Sequence, residues 1–144
     1  MQYSFSIVVI DDEQGNFVRD YPALNIGHHE QYGEFFNDEV MHLNNLEYLE
    51  EIVEQLSLIR SGKIENYDFG FEVYNIKCSL AEVSVVDIYD GDLEVATIPF
   101  TEVYQLMTDW RNWVAKWTRR RHRYNHIKKL KGRLVSIFRL KKLS

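Results

Sequence analysis

Two short clusters in the N-terminal part of the chain carry side chains that could do chemistry. Residues 11–13 are consecutive carboxylates, a ligand type that binds divalent cations, but they lack the alternating spacing of a calcium loop. Residues 28–30, with the sequence His-His-Glu, could hold a metal or act as an acid and a base. Adjacent side chains usually diverge, however, and no third partner stands at a recognisable spacing. We interpret the first cluster as a solvated hairpin tip and predict no metal site at either cluster.

A third candidate is the pair of His122 and His126, which has the i, i+4 spacing of a metal-binding pair on a helix. The surrounding arginines and lysines disfavour a divalent cation, so we interpret this pair as helix surface that gains charge as the pH falls. The chain has no phosphate-binding glycine loop and no nucleophile motif. The sequence therefore predicts a protein that is not an enzyme, with no catalytic residue, no metal and no cofactor.

Charge is distributed very unevenly along the 144 residues. Residues 1–110 hold four basic side chains and all twenty-two acidic ones, a formal charge of −18, whereas residues 111–144 hold thirteen basic side chains and no acid. The net charge of −5 thus conceals an acidic body and a strongly basic C-terminal segment. A chain of this length suits one hydrophobic core.

The expected compartment is the cytoplasm. The only cysteine, Cys78, cannot form an intramolecular disulfide, which favours a reducing environment. The first ten residues carry no basic side chain before their apolar run, and acids follow directly, which is the wrong charge order for a secretory signal. No uninterrupted apolar run approaches the roughly 18 residues of a spanning helix.

Alternating apolar residues predict a mainly antiparallel sheet. Residues 3–10 form a strand that a turn at 11–16 connects to a short return strand at 17–20, and residues 21–41 form an irregular aromatic segment packed over the sheet. Residues 67–76 form another strand, in which the apolar phase slips near Val73 and predicts a bulge or a break. Asp90 and Gly91 predict a tight hairpin turn between strands at 80–89 and 93–98.

Two helices complete the predicted core. Asn44 is the expected N-cap of the first, with Glu47 reaching back, and Ser61-Gly62 the expected stop. Thr101 is the expected N-cap of the second, whose apolar stripe includes all three tryptophans and is interpreted as core. The predicted class is α+β: about four to five mainly antiparallel strands packed by helices at about 45–60 and 101–118, plus a basic amphipathic C-terminal helix. The predicted division is a domain at 1–118 and an extension at 119–144.

Acidic side chains concentrate on the first helix and on the second hairpin. They form either a solvated surface or a docking surface for a basic partner, with Tyr48 or Tyr89 as aromatic anchors. The predicted acidic docking residues are Glu47, Glu50, Glu51, Glu54, Asp87, Asp90, Asp92 and Glu94.

The basic C-terminal segment has four possible targets: an anionic membrane, nucleic-acid phosphates, an acidic protein groove, or the acidic body of the same chain or of a second copy in a homodimer. Charge attraction favours the last, and the −18 body disfavours nucleic acid. The residues expected to bind are Arg119, Arg120, Arg121, Arg123, Lys128, Lys129, Lys131 and Arg133.

Three stretches, at residues 59–63, 67–70 and 98–103, together with the order of elements, carry a family resemblance. Over residues 1–117 the chain resembles the small acidic immunity proteins that are encoded beside bacterial polymorphic toxins. The resemblance implies a non-catalytic protein whose acidic surface blocks a basic toxin domain, often a nuclease. The basic segment departs from that family, and it supports the alternative of an adaptor that binds anionic membrane or nucleic acid.

Overall fold

The structure is a computed structural model that describes residues 1–14, 17–32 and 36–140. It confirms the α+β class, with six strands in two antiparallel sheets in place of about four to five strands in one. In chain order the elements are β1 (Tyr3–Asp11), β2 (Phe17–Ile26), a 3-10 helix (His29–Tyr32), α1 (Phe36–His42), α2 (Leu46–Arg60), β3 (Asn66–Gly70), β4 (Tyr74–Ser79), β5 (Val83–Asp87), β6 (Leu93–Ile98) and α3 (Phe100–Leu140).

The first sheet is a hairpin of β1 and β2, and its second strand is much longer than predicted. Tyr3 pairs with Ile26 and Ile7 pairs with Pro22, so β2 takes in six residues that we had assigned to an irregular segment. Proline had indicated a strand break, but a two-stranded sheet leaves one edge of each strand unpaired, and proline is tolerated at such an edge. The turn that joins the strands includes residues 15 and 16, which lie outside the described residues.

The rest of the segment at 21–41 is also more regular than predicted. It contains the 3-10 helix and α1, whose seven residues are too few to show a helical period in the sequence. Phe36 and Val40, one turn apart on α1, are fully buried, and the amide of Ile26 donates to Asn37 Oδ1 at 2.8 Å. Residues 33–35 lie outside the described part of the chain.

The second sheet has the strand order β3-β4-β5-β6. The bulge or break predicted near Val73 is a complete break, so the stretch at 67–76 forms two strands rather than one. Residues 71–73 form a turn, and the chain then returns so that Ile76 pairs with Phe69. The predicted second hairpin is confirmed, although β5 is shorter than the predicted strand. Gly91 and Asp92 both have positive φ and the amide of Leu93 donates to the Asp90 carbonyl at 3.2 Å, as in a type I′ turn.

Helix α2 shows how its local sequence sets its ends. Its N-cap is Asn45, not Asn44 with Glu47 as predicted, because the helix begins one residue later; the Asn45 side chain accepts from the Tyr48 amide at 3.0 Å. At the other end Gly62 has φ +72°, and the Lys63 amide donates to the Leu58 carbonyl at 2.9 Å. This Schellman ending confirms the predicted stop. The buried face consists of Leu49, Ile52, Val53, Leu56 and Ile59.

Helix α3 begins at Phe100, so Thr101 lies inside it and is not the N-cap; the Pro99 carbonyl instead accepts from the amides of the first turn. Trp110 is fully buried, and its Nε1 donates to the Leu43 carbonyl at 2.7 Å. The ring of Phe5 lies 5.6 Å from those of both Trp110 and Trp113. The predicted core role therefore holds for Trp110, while Trp113 is only half-buried.

Backbone contacts divide the chain into two compact units, Met1–Val114 and Ala115–Ser144. The second unit is helical as far as Leu140, and in it the Arg121 guanidinium lies over the ring of Trp117, 5.3 Å from the ring centre. The side chains of residues 122–140, which include His122, His126 and most of the predicted basic site, lie outside the described residues. Among the described residues, no helix combines the length and the apolar character needed to cross a membrane.

We expect Trp110→Phe to lower the free energy of unfolding by about 2–4 kcal/mol, because it leaves a cavity and removes the donor to the buried Leu43 carbonyl. Chemical denaturation measures the change. Trp117→Phe is the control, since Trp117 is partly exposed. An equal loss in both variants would show that the buried indole has no special role.

Candidate functional site

The two turns of the second sheet lie side by side at one end of it. Tyr74 at the start of β4 pairs with Asp87 at the end of β5, and the Ile88 amide donates to the Val73 carbonyl at 3.1 Å. This hydrogen bond joins the β3–β4 turn to the β5–β6 turn. We call the exposed surface of residues 71–73 and 87–95 the hairpin-tip surface.

The hairpin-tip surface is apolar as well as acidic. Of the seven large hydrophobic side chains that are exposed in the described part of the chain, five belong to it. Tyr89 is 79% exposed and Phe71 is 52% exposed, and the carboxylates of Glu72, Asp90 and Asp92 are exposed among them. The five apolar side chains are Phe71, Ile88, Tyr89, Leu93 and Val95. Exposed apolar side chains ringed by polar ones mark interaction surfaces.

A buried carboxylate fixes the β3–β4 turn. Glu39 on α1 is only 5% exposed, and its two carboxylate oxygens accept hydrogen bonds from three successive backbone amides. The donors are Phe71, Glu72 at 2.9 Å and Val73 at 3.4 Å. Hydrogen bonds to a charged group are stronger than those between neutral groups, so this single side chain holds the turn against α1.

His42, at the end of α1, supports the exposed phenylalanine. Its ring stacks on Phe71 with 5.4 Å between the ring centres and 9° between the planes. Its Nδ1 lies 2.7 Å from the Asp38 carbonyl oxygen, and since that oxygen only accepts, Nδ1 carries the hydrogen. The ring orientation of Phe71 is therefore set by α1 as well as by its own turn.

The eight predicted acidic residues fall into two groups. Asp87, Asp90, Asp92 and Glu94 belong to the hairpin-tip surface, whereas the four glutamates lie on α2, which packs beside β3. Because β3 and β6 are opposite edges of the sheet, about 14 Å separates the two strands. The α2 group is Glu47, Glu50, Glu51 and Glu54, all exposed.

The two proposed aromatic anchors differ. The Tyr48 hydroxyl lies within hydrogen-bonding distance of both the carbonyl and the amide of Gly70, at 3.3 and 3.4 Å, so it helps to hold β3 against α2. The Tyr89 ring is the more exposed of the two, and within the described residues Tyr89 is hydrogen-bonded through its backbone amide, to Asp87 Oδ1 at 2.8 Å. Tyr89 is thus the anchor that a partner could reach.

Three of the predicted carboxylates already accept hydrogen bonds, and Asp87, which accepts from the Tyr89 amide, is one of them. Glu94 accepts from the hydroxyl groups of Ser84 and Thr97, and these hydrogen bonds lower the pKa of its carboxyl group. Glu51 accepts from the Tyr67 hydroxyl at 3.2 Å. Burial, followed by the charge of Glu51, raises the pKa of Tyr67 above its ordinary range.

Glu39, Phe71 and Glu72 are not among the residues that the sequence predicts for this surface. Phe71 alternates regularly with its neighbours and was assigned to the interior of a strand, although the phase slip near Val73 was a signal for a turn. Glu39 has no signal in the sequence, because its partners lie more than thirty residues away.

The two N-terminal clusters that could have bound a metal ion lie on the surface. Asp11, Asp12 and Glu13 are exposed, and Asp12 accepts from the Gln14 amide at 2.9 Å. His28 Nδ1 lies 3.5 Å from the carboxylate of Glu30, and both side chains are exposed. No group of three or more histidine, cysteine or acidic side chains in the described residues is arranged to hold a metal ion.

Comparison of the chain with protein-family models, with curated proteins and with solved structures finds no match.

We expect Glu39→Gln to lower the free energy of unfolding by about 1.5–3 kcal/mol, because the turn amides lose their charged acceptor. Urea denaturation measures this loss, and amide hydrogen exchange at residues 71–73 localises it. Glu50→Gln removes the same charge from an exposed position on α2 and is the matched control. Equal stability of the two variants would contradict the assignment of Glu39 as the turn's anchor.

We expect ionisation of the Cys78 thiol to lower the free energy of unfolding at high pH. Burial, with a smaller effect of the nearby Asp68 charge, raises the pKa of its thiol from 9.0 to about 12. A pKa that is higher in the folded state gives stability that is complete below pH 9 and is lost as the pH rises towards 12.

Cys78→Ala should therefore weaken the pH dependence of the free energy of unfolding in that range. Burial also raises the pKa values of Tyr3 and Tyr67, so these two tyrosines lower stability at high pH in both proteins. Only the difference between the two proteins therefore reports on the thiol. An identical pH dependence in both would refute the role of Cys78.

Proposed function

We propose that the chain is a non-catalytic protein-binding module, of the immunity type, whose acidic surface neutralises a basic toxin domain. The observation that carries this proposal is the hairpin-tip surface, where exposed aromatic and aliphatic side chains lie among exposed carboxylates. Aromatic anchors supply most of the binding energy in protein interfaces, and charges around them select the partner. The resemblance over residues 1–117 supports the same function.

The acidic body favours fast capture of a basic partner. A formal charge of −18 over residues 1–110 attracts positive charge over about a Debye length, some 8 Å at physiological ionic strength. The exposed glutamates of α2 contribute to this attraction even though they lie beside the other edge of the sheet. In this proposal they act at long range, and the hairpin-tip surface makes the contact.

The α2 group includes side chains that remain candidates for direct contact. Glu47, Glu50 and Glu54 are exposed along one helix, so a large partner could cover both groups at once. Glu51 and Glu94 are the weaker candidates, because side-chain hydroxyl groups of the chain already donate to them.

The basic segment supports a second function, that of an adaptor for anionic membrane or nucleic acid. The observation in its favour is that α3 continues through residues 119–140, so the predicted helix in this segment is present. Exposed Arg119 and Arg120 begin it. A homodimer formed through this segment is a further proposal, consistent with the opposite charges of the two parts of the sequence.

We expect Tyr89→Ala to weaken binding to the cognate toxin domain by about 2 kcal/mol, mainly through faster dissociation. We expect the Asp90→Asn/Asp92→Asn double variant mainly to slow association. Surface plasmon resonance with a basic toxin domain from a neighbouring gene separates the two rates, and a toxin activity assay measures neutralisation. For the unaltered chain, affinity should fall as salt is raised from about 50 to about 500 mM.

Leu80→Ala and Glu82→Gln are matched controls, because both side chains are exposed and lie between β4 and β5 at the opposite end of the sheet. Neither should change binding or neutralisation. An affinity that is insensitive to salt would sink the proposal. Binding to anionic vesicles or RNA that is lost in Arg119→Glu/Arg120→Glu, without binding to the toxin, would favour the adaptor.

A further inference from the structure

A shallow groove separates the end of α1 from the β3–β4 turn. Phe71, Val73 and Tyr74 form its apolar wall, and Glu39, whose carboxylate is bound to the turn amides, lies at its base. Its remaining lining residues are Asp38, His42, Glu72 and Asp87. Four acidic residues that line the groove therefore belong to three different elements: Asp38 and Glu39 to α1, Glu72 to the turn and Asp87 to β5.

The lining suits one kind of side chain. An arginine has an aliphatic stem that can cover apolar surface and a planar guanidinium with five donors that pairs with carboxylates and stacks on aromatic rings. A purely apolar side chain would desolvate the carboxylates without giving them a partner, which is costly. An acidic side chain would add a further negative charge beside the four acidic residues of the groove.

The groove is formed before any partner arrives. The three amide bonds to Glu39 fix the turn, and the stacking of His42 on Phe71 fixes the exposed ring. Asp87 Oδ1 accepts from the Tyr89 amide, which orients that carboxylate. Rigid walls reduce the entropy lost on binding, so a single inserted side chain can be bound specifically.

We propose that this groove is the binding site for an arginine side chain of a basic protein partner. The inference rests on the proposed function, which supplies the basic partner, and it names the contact that the partner makes. The groove is continuous with the hairpin-tip surface through Phe71, Glu72 and Asp87, so a partner that covers Tyr89 can also insert an arginine. Charge complementarity between the acidic body and such a partner identifies the occupant.

The test uses the full chain labelled with 15N and titrated with N-acetyl-Ala-Arg-Ala-amide. We expect saturable amide shifts confined to residues 38–42, 71–74 and 87–89. The citrulline peptide, which has the same shape without the charge, should give no saturable shifts. The lysine peptide should bind about threefold more weakly, because its ammonium cannot form the planar paired contact.

Two variants and one matched control keep the proposal falsifiable. Asp38→Asn/Glu72→Gln should weaken binding of the arginine peptide about five- to tenfold, since two of the charges that line the groove are removed. Phe71→Ala should weaken binding of the arginine peptide without changing the net charge of the chain. Glu47→Gln/Glu50→Gln removes two exposed charges from α2 and should leave the dissociation constant within about twofold.

Equal weakening by the groove and α2 variants would overturn the proposal, because it would show non-specific attraction to an acidic body. Equal binding of the citrulline peptide, or shifts spread over α2, would overturn it as well. These outcomes are distinct from failure of the proposed function. A chain that still neutralises a basic toxin in a salt-dependent way while failing the peptide titration would contradict only the arginine groove.

Discussion

The hairpin-tip surface depends on one buried carboxylate. Removing the charge of Glu39 from water is unfavourable, and the fold compensates for that cost with three backbone amides that would otherwise lack partners in a tight turn. The same contact joins α1 to the β3–β4 turn. Because that turn is bonded to the β5–β6 turn through Ile88 and Val73, the position of both turns follows from α1.

Carboxylates in this chain therefore have two distinct physical roles. Some stabilise the fold by accepting specific hydrogen bonds: Glu39 from the turn, Asp109 from the Tyr3 hydroxyl at 2.7 Å, and Glu51 from Tyr67. Others, such as Glu72 and Asp90, are exposed and raise the negative potential of the surface. Net charge alone does not distinguish these roles. Neutralising a carboxylate of the first kind weakens a contact that stabilises the fold, whereas neutralising one of the second kind changes only the surface potential.

The features that could be predicted from the sequence are those that neighbouring residues determine. Helix α2 ends where Gly62 supplies a positive φ, and the second hairpin turns where Gly91 and Asp92 do the same. The two-sheet arrangement could not be predicted, because the length of β2 depends on its pairing with β1. The phase slip near Val73 indicated a bulge or a break, but the conformation of the turn at residues 71–73 depends on a distant glutamate. The candidate site was only half predicted for the same reason: its acids are visible in the sequence, but the apolar side chains beside them reach the surface through long-range contacts.

The exposed apolar side chains are the part of the structure that stability does not explain. Five of them on one end of one sheet forgo burial worth about 1.5 kcal/mol or more for each fully buried large side chain. Bulk charge would be enough to attract a basic partner, but it would not hold that partner in one orientation. Phe71 stacks on His42 of α1, and the backbone of Tyr89 is hydrogen-bonded to Asp87. These two aromatic residues give the acidic surface a shape, and shape is what allows it to discriminate between partners of equal charge.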